Sequence, residues 1–484
     1  MSDQSYLKNA KAALLIGAAG SFLGNINGSV INVLLPTLSQ SFQRGIGDMA
    51  ILSLAFLLSQ TLMLFIAGRL CDVKSTRTMF LWGFGFHVLF SLCCVFAPTL
   101  ELLAVCRLVQ GAATALITVA ASVAVLRYTP MQRTGRAFGT ITLSACLGFA
   151  IGPAIGGFLL EFMHWRFIFV IIFYIGWVPL VYTCLFYNDR VHEYPINVDM
   201  ISVILSWFAI GSLFASLICL TRLGIGHPVG WSTLLLTCCG AFAFVRRCRR
   251  VSDPILSIKL LRYYPLVTAL VGSLCNAICF SGLIFAVPFY LKFIRGLPDY
   301  QIGLIMMAAP ITGLVGSYLG GKLSDRFGAK KCSLVITFIS VPFLFAMIRI
   351  NETTSPIILI SLLGGFGLCY VFYLTSCTTM VMSWAKKGEE GKLSAIRLLL
   401  PVLGNAFGIA GFSLFFDNST VPSTAQISEM LVNFRHGIWI CLAIVLAQIV
   451  CTFHAKNVPL RSAYQSDTWQ ESRWQESGVF WDRG

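Results

Sequence analysis

Polar side chains inside long apolar segments are the first candidates for chemistry in this sequence. Arg107 lies within such a segment, and Gln110 follows one helical turn later. A guanidinium inside an apolar run is energetically costly and normally faces a partner or a wet cavity. Because residues three apart share a helix face, Gln110 should point the same way. We therefore expect Arg107 and Gln110 to line a cavity, the alternative being an arginine that extends its charge to the interface.

Three amides and one histidine extend this set of candidates. Asn25, Asn27 and Asn32 share the first apolar segment, which is more than simple tolerance explains, although some amides bond to neighbouring helices. We expect Asn27 and Asn32 to contact substrate. His87 is the one mid-segment side chain that titrates near neutral pH, so it is a candidate for a proton pathway, the alternative being a packed, hydrogen-bonded histidine. None of the 20 Asp and Glu falls near the middle of an apolar segment.

The elements that carry these residues must cross a membrane. The 484-residue chain is 57% hydrophobic and 11% charged, with a mean hydropathy of +0.80. Runs of about 20 apolar residues are long enough to cross the hydrocarbon core, and in lipid they must be helical. The sequence therefore predicts an all-α membrane protein. We expect fourteen spans, near residues 12–36, 48–68, 79–98, 102–126, 137–162, 166–187, 199–221, 230–247, 264–291, 300–321, 332–350, 355–384, 393–416 and 434–454.

A short polar loop occurs twice, as GRLCDVKSTRT at residues 68–78 and as GKLSDRFGAKK at residues 321–331. This repetition indicates two related halves. An aspartate with basic neighbours can form a charge-assisted cluster, so both loops are candidates for cytoplasmic gates, the alternative being basic residues that only mark the cytoplasmic side. The expected gate residues are Gly68, Asp72, Arg77, Gly321, Asp325, Arg326 and Gly328.

Glycines four residues apart in the fifth span form a groove that lets another helix come close. Pro153, in the middle of this series, removes one helix hydrogen bond and introduces a bend or hinge. Similar glycines recur in the thirteenth span. We expect a seam along which the two halves move, although static packing explains the glycines alone almost as well. The residues expected at this seam are Gly148, Gly152, Pro153, Gly156, Gly404 and Gly408.

Charge and cysteine usage exclude several classes of protein. The net charge is +15, and with alternating spans 27 of the 35 Lys and Arg lie on one side. The positive-inside rule explains this asymmetry without a nucleic-acid partner and places both termini in the cytoplasm. The 17 Cys show no metal-ligand spacing, so no metal site, disulfide or cofactor is predicted. No nucleophile and base pattern or soluble domain indicates an enzyme.

Four segments follow from the repeat and the span count. Residues 1–198 are expected to form an N-terminal six-helix bundle, and residues 199–250 two extra helices with a basic linker. Residues 251–455 are expected to form a C-terminal six-helix bundle, and residues 456–484 a polar cytoplasmic tail.

Together these motifs resemble the major facilitator superfamily, and within it the fourteen-helix drug:proton antiporter branch. The two repeated loops resemble its cytoplasmic signature loop, and residues 107–111 its helix-4 motif. Residues 148–157 resemble the antiporter motif of helix 5, and residues 165–169 its usual continuation. Further matches around the two extra helices are Asp199, Trp231 and the segment 254–256.

The sequence departs from that branch at four positions. Asn27 replaces a usual aspartate, Ser75 a usual glycine, and Ile172 and Tyr174 a usual asparagine and proline. The missing carboxylate would both carry a proton and attract cationic drugs. With Arg107 unpaired by any mid-membrane acid, the cavity is expected to suit neutral or anionic solutes. A proton route would have to use Arg107, His87, Asp72 or water, the alternative being a different mode of coupling.

The resemblance implies the major facilitator fold, with two six-helix bundles and two extra helices between them. It also implies a secondary transporter, which exports small amphipathic molecules by alternating access in exchange for protons. Short loops without a large insert fit a bacterial inner membrane, and we expect a monomer. The expected partners are a small-molecule substrate, the proton as coupling ion and the lipid bilayer. One alternative is a dedicated exporter or importer of a metabolite or siderophore-like anion. Another is a receptor or sensor on the same fold that transports nothing.

Overall fold

The computed structural model of the chain describes residues 3–128, 134–188, 199–224, 226–251, 264–382, 390–414 and 424–455. In these ranges the protein forms α-helices and one π-helical turn, without strands. The helices are α1 (Asp3–Phe42), α2 (Ile46–Val73), α3 (Thr76–Val95), α4 (Leu100–Tyr128), α5 (Thr134–Phe162), α6 (Arg166–Phe186), α7 (Met200–Leu223), α8 (Pro228–Cys248), α9 (Tyr264–Phe289), α10 (Asp299–Met306), α11 (Ala308–Phe327), α12 (Ala329–Ile348), α13 (Pro356–Met382), α14 (Glu390–Ser413) and α15 (Thr424–His454). The predicted tail at 456–484 lies outside the described residues.

Fourteen segments of the described chain are long and apolar enough to cross a membrane, which confirms the predicted all-α fold with fourteen spans. The helices α10 and α11 together make one span, Asp299–Ser324, interrupted at Met307. Because consecutive spans alternate in direction, α1 begins and α15 ends on the same side of the molecule. We call this side the terminal face and the opposite side the far face.

The first and last groups of helices repeat one packing pattern. We call α1–α6 the N-half and α9–α15 the C-half. The helix α1 packs along α5 as α9 packs along α14, α2 contacts α4 as α11 contacts α13, and α3 contacts α6 as α12 contacts α15. This repetition is what two related halves require. The domain limits expected at residues 198 and 250 stay predictions.

The two extra helices pack beside this pair of halves. The helix α7 contacts α8, α2 of the N-half and α14 of the C-half. Arg222 forms an ion pair with Asp48 at 3.0 Å, and the indole Nε1 of Trp207 donates to the carbonyl of Leu62 at 2.9 Å. Few residues of α8 are buried, as expected for a helix that faces lipid. The helix α7 is thus anchored to the N-half by polar contacts.

The two repeated loops differ in backbone conformation. In the first, Ser75 has φ −64°, and its hydroxyl accepts a hydrogen bond from the Thr78 N–H at 3.1 Å, which caps α3. In the second, Gly328 alone links α11 to α12 and has φ +92°, a conformation that favours glycine. Serine is therefore accommodated at position 75, where the backbone does not require a glycine.

Candidate substrate and coupling site

Five buried polar side chains come together inside the N-half. They belong to α1, α3 and α4, and none is more than 1% exposed. We call this group the Arg107 cluster, which consists of Asn27, His87, Ser91, Arg107 and Gln110. Four of its members are residues that the sequence singled out, whereas Ser91 was missed because a serine in an apolar helix has no distinguishing pattern.

Arg107 is held by neutral groups only. Its Nη1 donates to Asn27 Oδ1 at 2.7 Å, to Gln110 Oε1 at 3.1 Å and to the Asn27 carbonyl at 3.4 Å. The guanidinium carbon also lies 4.6 Å from the centre of the Phe56 ring, a cation–π contact with α2. These contacts hold the guanidinium inside the N-half, where it forms no ion pair with a carboxylate of the described side chains.

The hydrogen bonds of the cluster assign the proton of His87. Since Asn27 Oδ1 accepts from Arg107, its Nδ2 must donate, to Gln110 Oε1 at 3.3 Å and to His87 Nε2 at 3.4 Å. An accepting Nε2 requires a neutral ring with its proton on Nδ1. Gln110 Nε2 donates to Ser91 Oγ at 3.0 Å, and Ser91 Oγ donates to the His87 carbonyl at 2.7 Å. This network therefore fits a neutral His87.

The cluster lies inside the candidate membrane spans, and its residues on α3 and α4 are nearer to the far face. Arg107 follows Leu100, where α4 begins, by two helical turns, and His87 precedes Val95, where α3 ends, by a similar length. At 1.5 Å per residue, both side chains start about 10–12 Å from the far-face ends of their helices. Asn32 is partly exposed and takes no part in the cluster. The expected roles of these residues in substrate binding or proton transfer stay predictions.

The glycines of the expected seam pack helices within each half. A Cβ at Gly148 would collide with the carbonyl oxygen of Phe22 in α1, and a Cβ at Gly152 would collide with the Ser29 hydroxyl. Gly156 faces α1 as well. In the C-half a Cβ at Gly408 would collide with backbone atoms of α9, and Gly404 also lies close to that helix. These glycines thus allow close contact of α1 with α5 and of α9 with α14.

A different pair of glycines lies between the halves. A Cβ at Gly157 would collide with the carbonyl oxygen of Asp299, and one at Gly303 with the carbonyl oxygen of Pro153. Gly157 is near the end of α5 and Gly303 near the start of α10, so this contact lies towards the far face. Gly303 was missed because it has no glycine neighbour at helical spacing. Of the expected seam residues, Pro153 is the one whose backbone reaches α10 here.

Aromatic rings also connect the halves, at the middle of their helices. The ring centres of Phe149 in α5 and Phe280 in α9 are 6.4 Å apart. Phe280 stacks on Tyr370 of α13, with ring centres 3.8 Å apart and an interplanar angle of 6°. The ring centre of Phe366 lies 6.5 Å from that of Phe280. Asn276 Nδ2 donates to the Tyr370 carbonyl at 3.2 Å. We call Phe149, Phe280, Phe366 and Tyr370 the aromatic seam. It could not be predicted from the sequence, because aromatic residues are common in apolar helices.

Comparisons with known proteins agree with this architecture. The sequence model of the Major Facilitator Superfamily matches residues 17–409 and, in a second alignment, residues 269–470. The chain belongs to this superfamily. It is accordingly a multi-pass membrane transporter with a small-molecule substrate, and not an enzyme, which confirms the resemblance that the motifs indicated.

Similar members of the superfamily have several names. The chain is 26% identical to the multidrug resistance protein Stp of Mycobacterium tuberculosis (strain ATCC 25618 / H37Rv), over 82% of this chain and 74% of that protein. It is 23% identical to the uncharacterized MFS-type transporter YhcA of Bacillus subtilis (strain 168), over 89% and 82%. It is also 23% identical to the riboflavin transporter RibZ of Clostridioides difficile (strain 630), over 92% and 97%.

Among solved structures, the chain resembles a bacterial homologue of the human lysosomal transporter Spinster, crystallised in an inward-facing and unoccupied conformation. The TM-score is 0.68 at 14% identity, over 96% of this chain and 99% of that one. At this identity the likeness shows the superfamily fold.

The expected gate residues lie at the terminal face, where the superfamily signature loop is found. Arg77 donates from Nη2 to the Cys184 carbonyl of α6 at 2.9 Å, and Arg326 is exposed beside Phe327. A Cβ would have open space at Gly68 and an ordinary contact at Gly321. The side chains of Asp72 and Asp325 lie outside the described part of the chain. A gating role therefore stays a prediction.

No described part of the molecule brings together three His, Cys, Asp or Glu side chains as metal ligands. The chemistry that the described site offers to a solute is thus one buried guanidinium, several amides and hydroxyls, and stacked aromatic rings.

Proposed function

We propose that this transporter exports small amphipathic compounds by alternating access, in exchange for protons, as a monomer in a bacterial inner membrane. The observation that carries the proposal is the contact between the halves. Pro153 and Gly157 meet Gly303 towards the far face, while the aromatic seam meets at mid-depth. Such a contact must separate if a solute is to leave at the far face.

The nature of this contact supports a movable boundary. Between α5 and α10 the closest approach is of backbone to backbone, because glycines leave no side chains in the way. The carboxylate of Asp299, at the same place, is paired with Lys292 of its own half at 2.8 Å. It therefore does not tie the halves together, and the contact can open without breaking that ion pair.

The aromatic seam supports an amphipathic solute. Phe280 and Phe366 are buried in this structure, and separation of the halves would expose their rings as apolar faces for planar or apolar molecules of varied shape. Tyr370 is partly exposed, and its hydroxyl has no hydrogen-bond partner among the described residues, so it is available to a polar group of the solute. The relative Stp is named a multidrug resistance protein, which agrees with broad recognition of this kind.

The excess of Lys and Arg on one side supports a cytoplasmic terminal face. Lysines at that face lie against aromatic rings, for example Lys74 at 5.6 Å from the centre of Trp82 and Lys330 at 5.4 Å from that of Phe453. An excess of basic residues is typical of the cytoplasmic side, whereas aromatic residues occur at both interfaces. With the far face closed, a solute would enter from the cytoplasm.

Everted membrane vesicles test this function. Vesicles containing the full-length protein are supplied with a fluorescent amphipathic dye, with an acid interior or with no pH gradient. We expect dye to accumulate only with the gradient, and accumulation to stop when an ionophore removes it. Accumulation independent of pH would refute proton coupling, and dye binding without accumulation would favour a receptor or sensor. Vesicles without the protein serve as the control.

A dedicated transporter of one anionic metabolite is the second candidate. The observation that favours it is the buried Arg107, whose described partners are all uncharged. The relative RibZ, named a riboflavin transporter, is an example of a narrow function in a similar chain. Competition decides between the two, because many unrelated compounds should inhibit dye accumulation by a multidrug exporter, whereas a dedicated transporter should respond to one.

A further inference from the structure

The positive charge of the Arg107 cluster is not balanced by its described neighbours. The partners of Arg107 are the amides of Asn27 and Gln110 and the ring of Phe56, and each of these is neutral. Charged groups inside a membrane protein are normally paired with an opposite charge. Asn27 Oδ1, at 2.7 Å from Nη1, occupies the place where an aspartate would supply that charge. The cluster thus holds a cation whose counter-charge must come from elsewhere.

The unused groups of the cluster are hydrogen-bond donors. Nδ1 of His87 and Nε of Arg107 are both buried and have no hydrogen-bond partner in the described structure. The bond from Asn27 to His87 Nε2 leaves the ring proton on Nδ1, and a guanidinium Nε always carries a hydrogen. Two unsatisfied donors beside a positive charge favour a ligand that only accepts hydrogen bonds and carries negative charge.

We propose that the Arg107 cluster binds a small anionic group, such as a carboxylate or a halide. The group is either part of the transported compound, in which case the inference rests on the proposed transport function, or a free inorganic anion. In both cases the anion supplies the negative charge that Asn27 lacks and accepts from the two unsatisfied donors. A cation is excluded by the charge of Arg107, and a neutral solute would leave that charge unbalanced.

Thermal unfolding of the purified full-length protein in detergent tests this site. The protein is heated in sodium gluconate, sodium chloride or sodium benzoate at equal ionic strength, with gluconate as the large, strongly hydrated reference anion. We expect chloride or benzoate to raise the unfolding midpoint by about 2 °C or more, because a ligand that binds only the folded state stabilises it. A rise with chloride identifies an inorganic anion, and a rise with benzoate alone identifies an organic carboxylate.

The variant Asn27→Asp makes the test specific. Its new carboxylate would pair with Arg107 and neutralise the charge that attracts the anion, so chloride or benzoate should no longer raise the unfolding midpoint of the folded variant. Asn25→Asp adds the same charge to the same helix, but Asn25 donates only to the Ser21 carbonyl one turn away. Chloride or benzoate should therefore still raise the unfolding midpoint of this variant. Arg107→Gln should also lose the rise if it folds.

The proposal is overturned if neither anion stabilises the wild-type protein, or if Asn27→Asp is stabilised as much as the wild type. The second result would indicate anions bound at the surface. Because the measurement needs no transport, a failure of the vesicle assay and a failure of anion binding can be distinguished.

Discussion

The two halves repeat one packing pattern but fill it with different chemistry. In the N-half, α4 places Arg107 among hydrogen-bonding partners from α1, at a depth where charge is costly. In the C-half, α13 packs in the corresponding place, and neither α13 nor α9 contains a charged residue along its length. The N-half thus buries a polar cluster, whereas the C-half stacks Phe280 on Tyr370.

This difference suggests that the two halves, although similar in fold, have different roles in transport. A buried polar network is stable only where its members are hydrogen-bonded, as Asn27 and Gln110 are to Arg107. Apolar ring surfaces are non-directional and accept many shapes. We infer that the N-half recognises charge or couples transport to an ion, whereas the C-half contributes the greater part of the solute-binding surface.

The largest effect is expected from Arg107→Ala. Hydrogen bonds to charged groups are worth about 1.5–3 kcal/mol each, and this variant removes the bonds to Asn27 and Gln110. We expect transport to fall at least about tenfold, which corresponds to ~1.4 kcal/mol. Vesicle uptake checks this, normalised to the amount of folded protein. Arg349→Ala, at an exposed far-face position, is the matched control and should transport normally. Equal transport by both variants would contradict a role for the cluster.

Next in size is the contact between the halves. Gly303→Leu places a side chain where α10 touches the Pro153 carbonyl, so the far face should no longer close and transport should fall severalfold or more. Gly85→Leu is the control, because a Cβ there meets no atom within 4 Å. Wild-type transport rates for Gly303→Leu, measured in the same vesicles, would show that this contact is not part of the cycle.

A smaller effect should follow from Phe280→Ala. Aromatic pairs contribute about 0.5–1.5 kcal/mol beyond the area they bury, so the half-saturating concentration of planar aromatic solutes should rise roughly 2- to 10-fold. Non-aromatic solutes should change less. Phe338→Ala, which removes an exposed ring of α12, gives the baseline. An equal loss for all solutes would point to a structural role of Phe280 rather than to selectivity.

The two repeated loops should differ in how much a substitution lowers the stability of the protein. Gly328→Ala forces a Cβ into a conformation with φ +92° and should cost about 1–3 kcal/mol. Ser75→Ala removes a helix cap, worth about 1 kcal/mol, and Ser75→Gly should cost only a few tenths. Thermal unfolding ranks the three variants. The loop assignment is wrong if Ser75→Gly destabilises the protein more than Gly328→Ala does.

The smallest effect concerns the extra helices. Hydrogen bonds from Arg247 and Ser202 lower the pKa of the Asp199 carboxyl to about 2. A carboxyl with a lowered pKa stabilises the fold above its unfolded pKa, about 3.9, and loses this contribution as the pH falls towards 2. Asp199→Asn should therefore lower the unfolding midpoint slightly and equally at pH 6 and pH 8. A difference that changes between these two pH values would contradict this assignment.

The fold could be predicted from the sequence, but only part of the candidate site could. Hydropathy predicted fourteen spans because each must be about 20 residues long. The spacing of Arg107 and Gln110 predicted a shared face, since both lie on one helix. Which helix each glycine would face did not follow from spacing, and Gly148 packs on α1 of its own half. Contacts between distant segments, such as Gly303 with α5, leave no local pattern to find.

Proton-coupled export is best measured as gradient-driven accumulation of an amphipathic dye in everted vesicles, recorded together with proton movement. Vesicles with wild-type protein should take up dye while protons leave the acid interior, and vesicles with Arg107→Ala should do neither. Proton-coupled export is refuted if wild-type protein, correctly inserted and folded, accumulates no more dye than vesicles without it under a pH gradient of either sign.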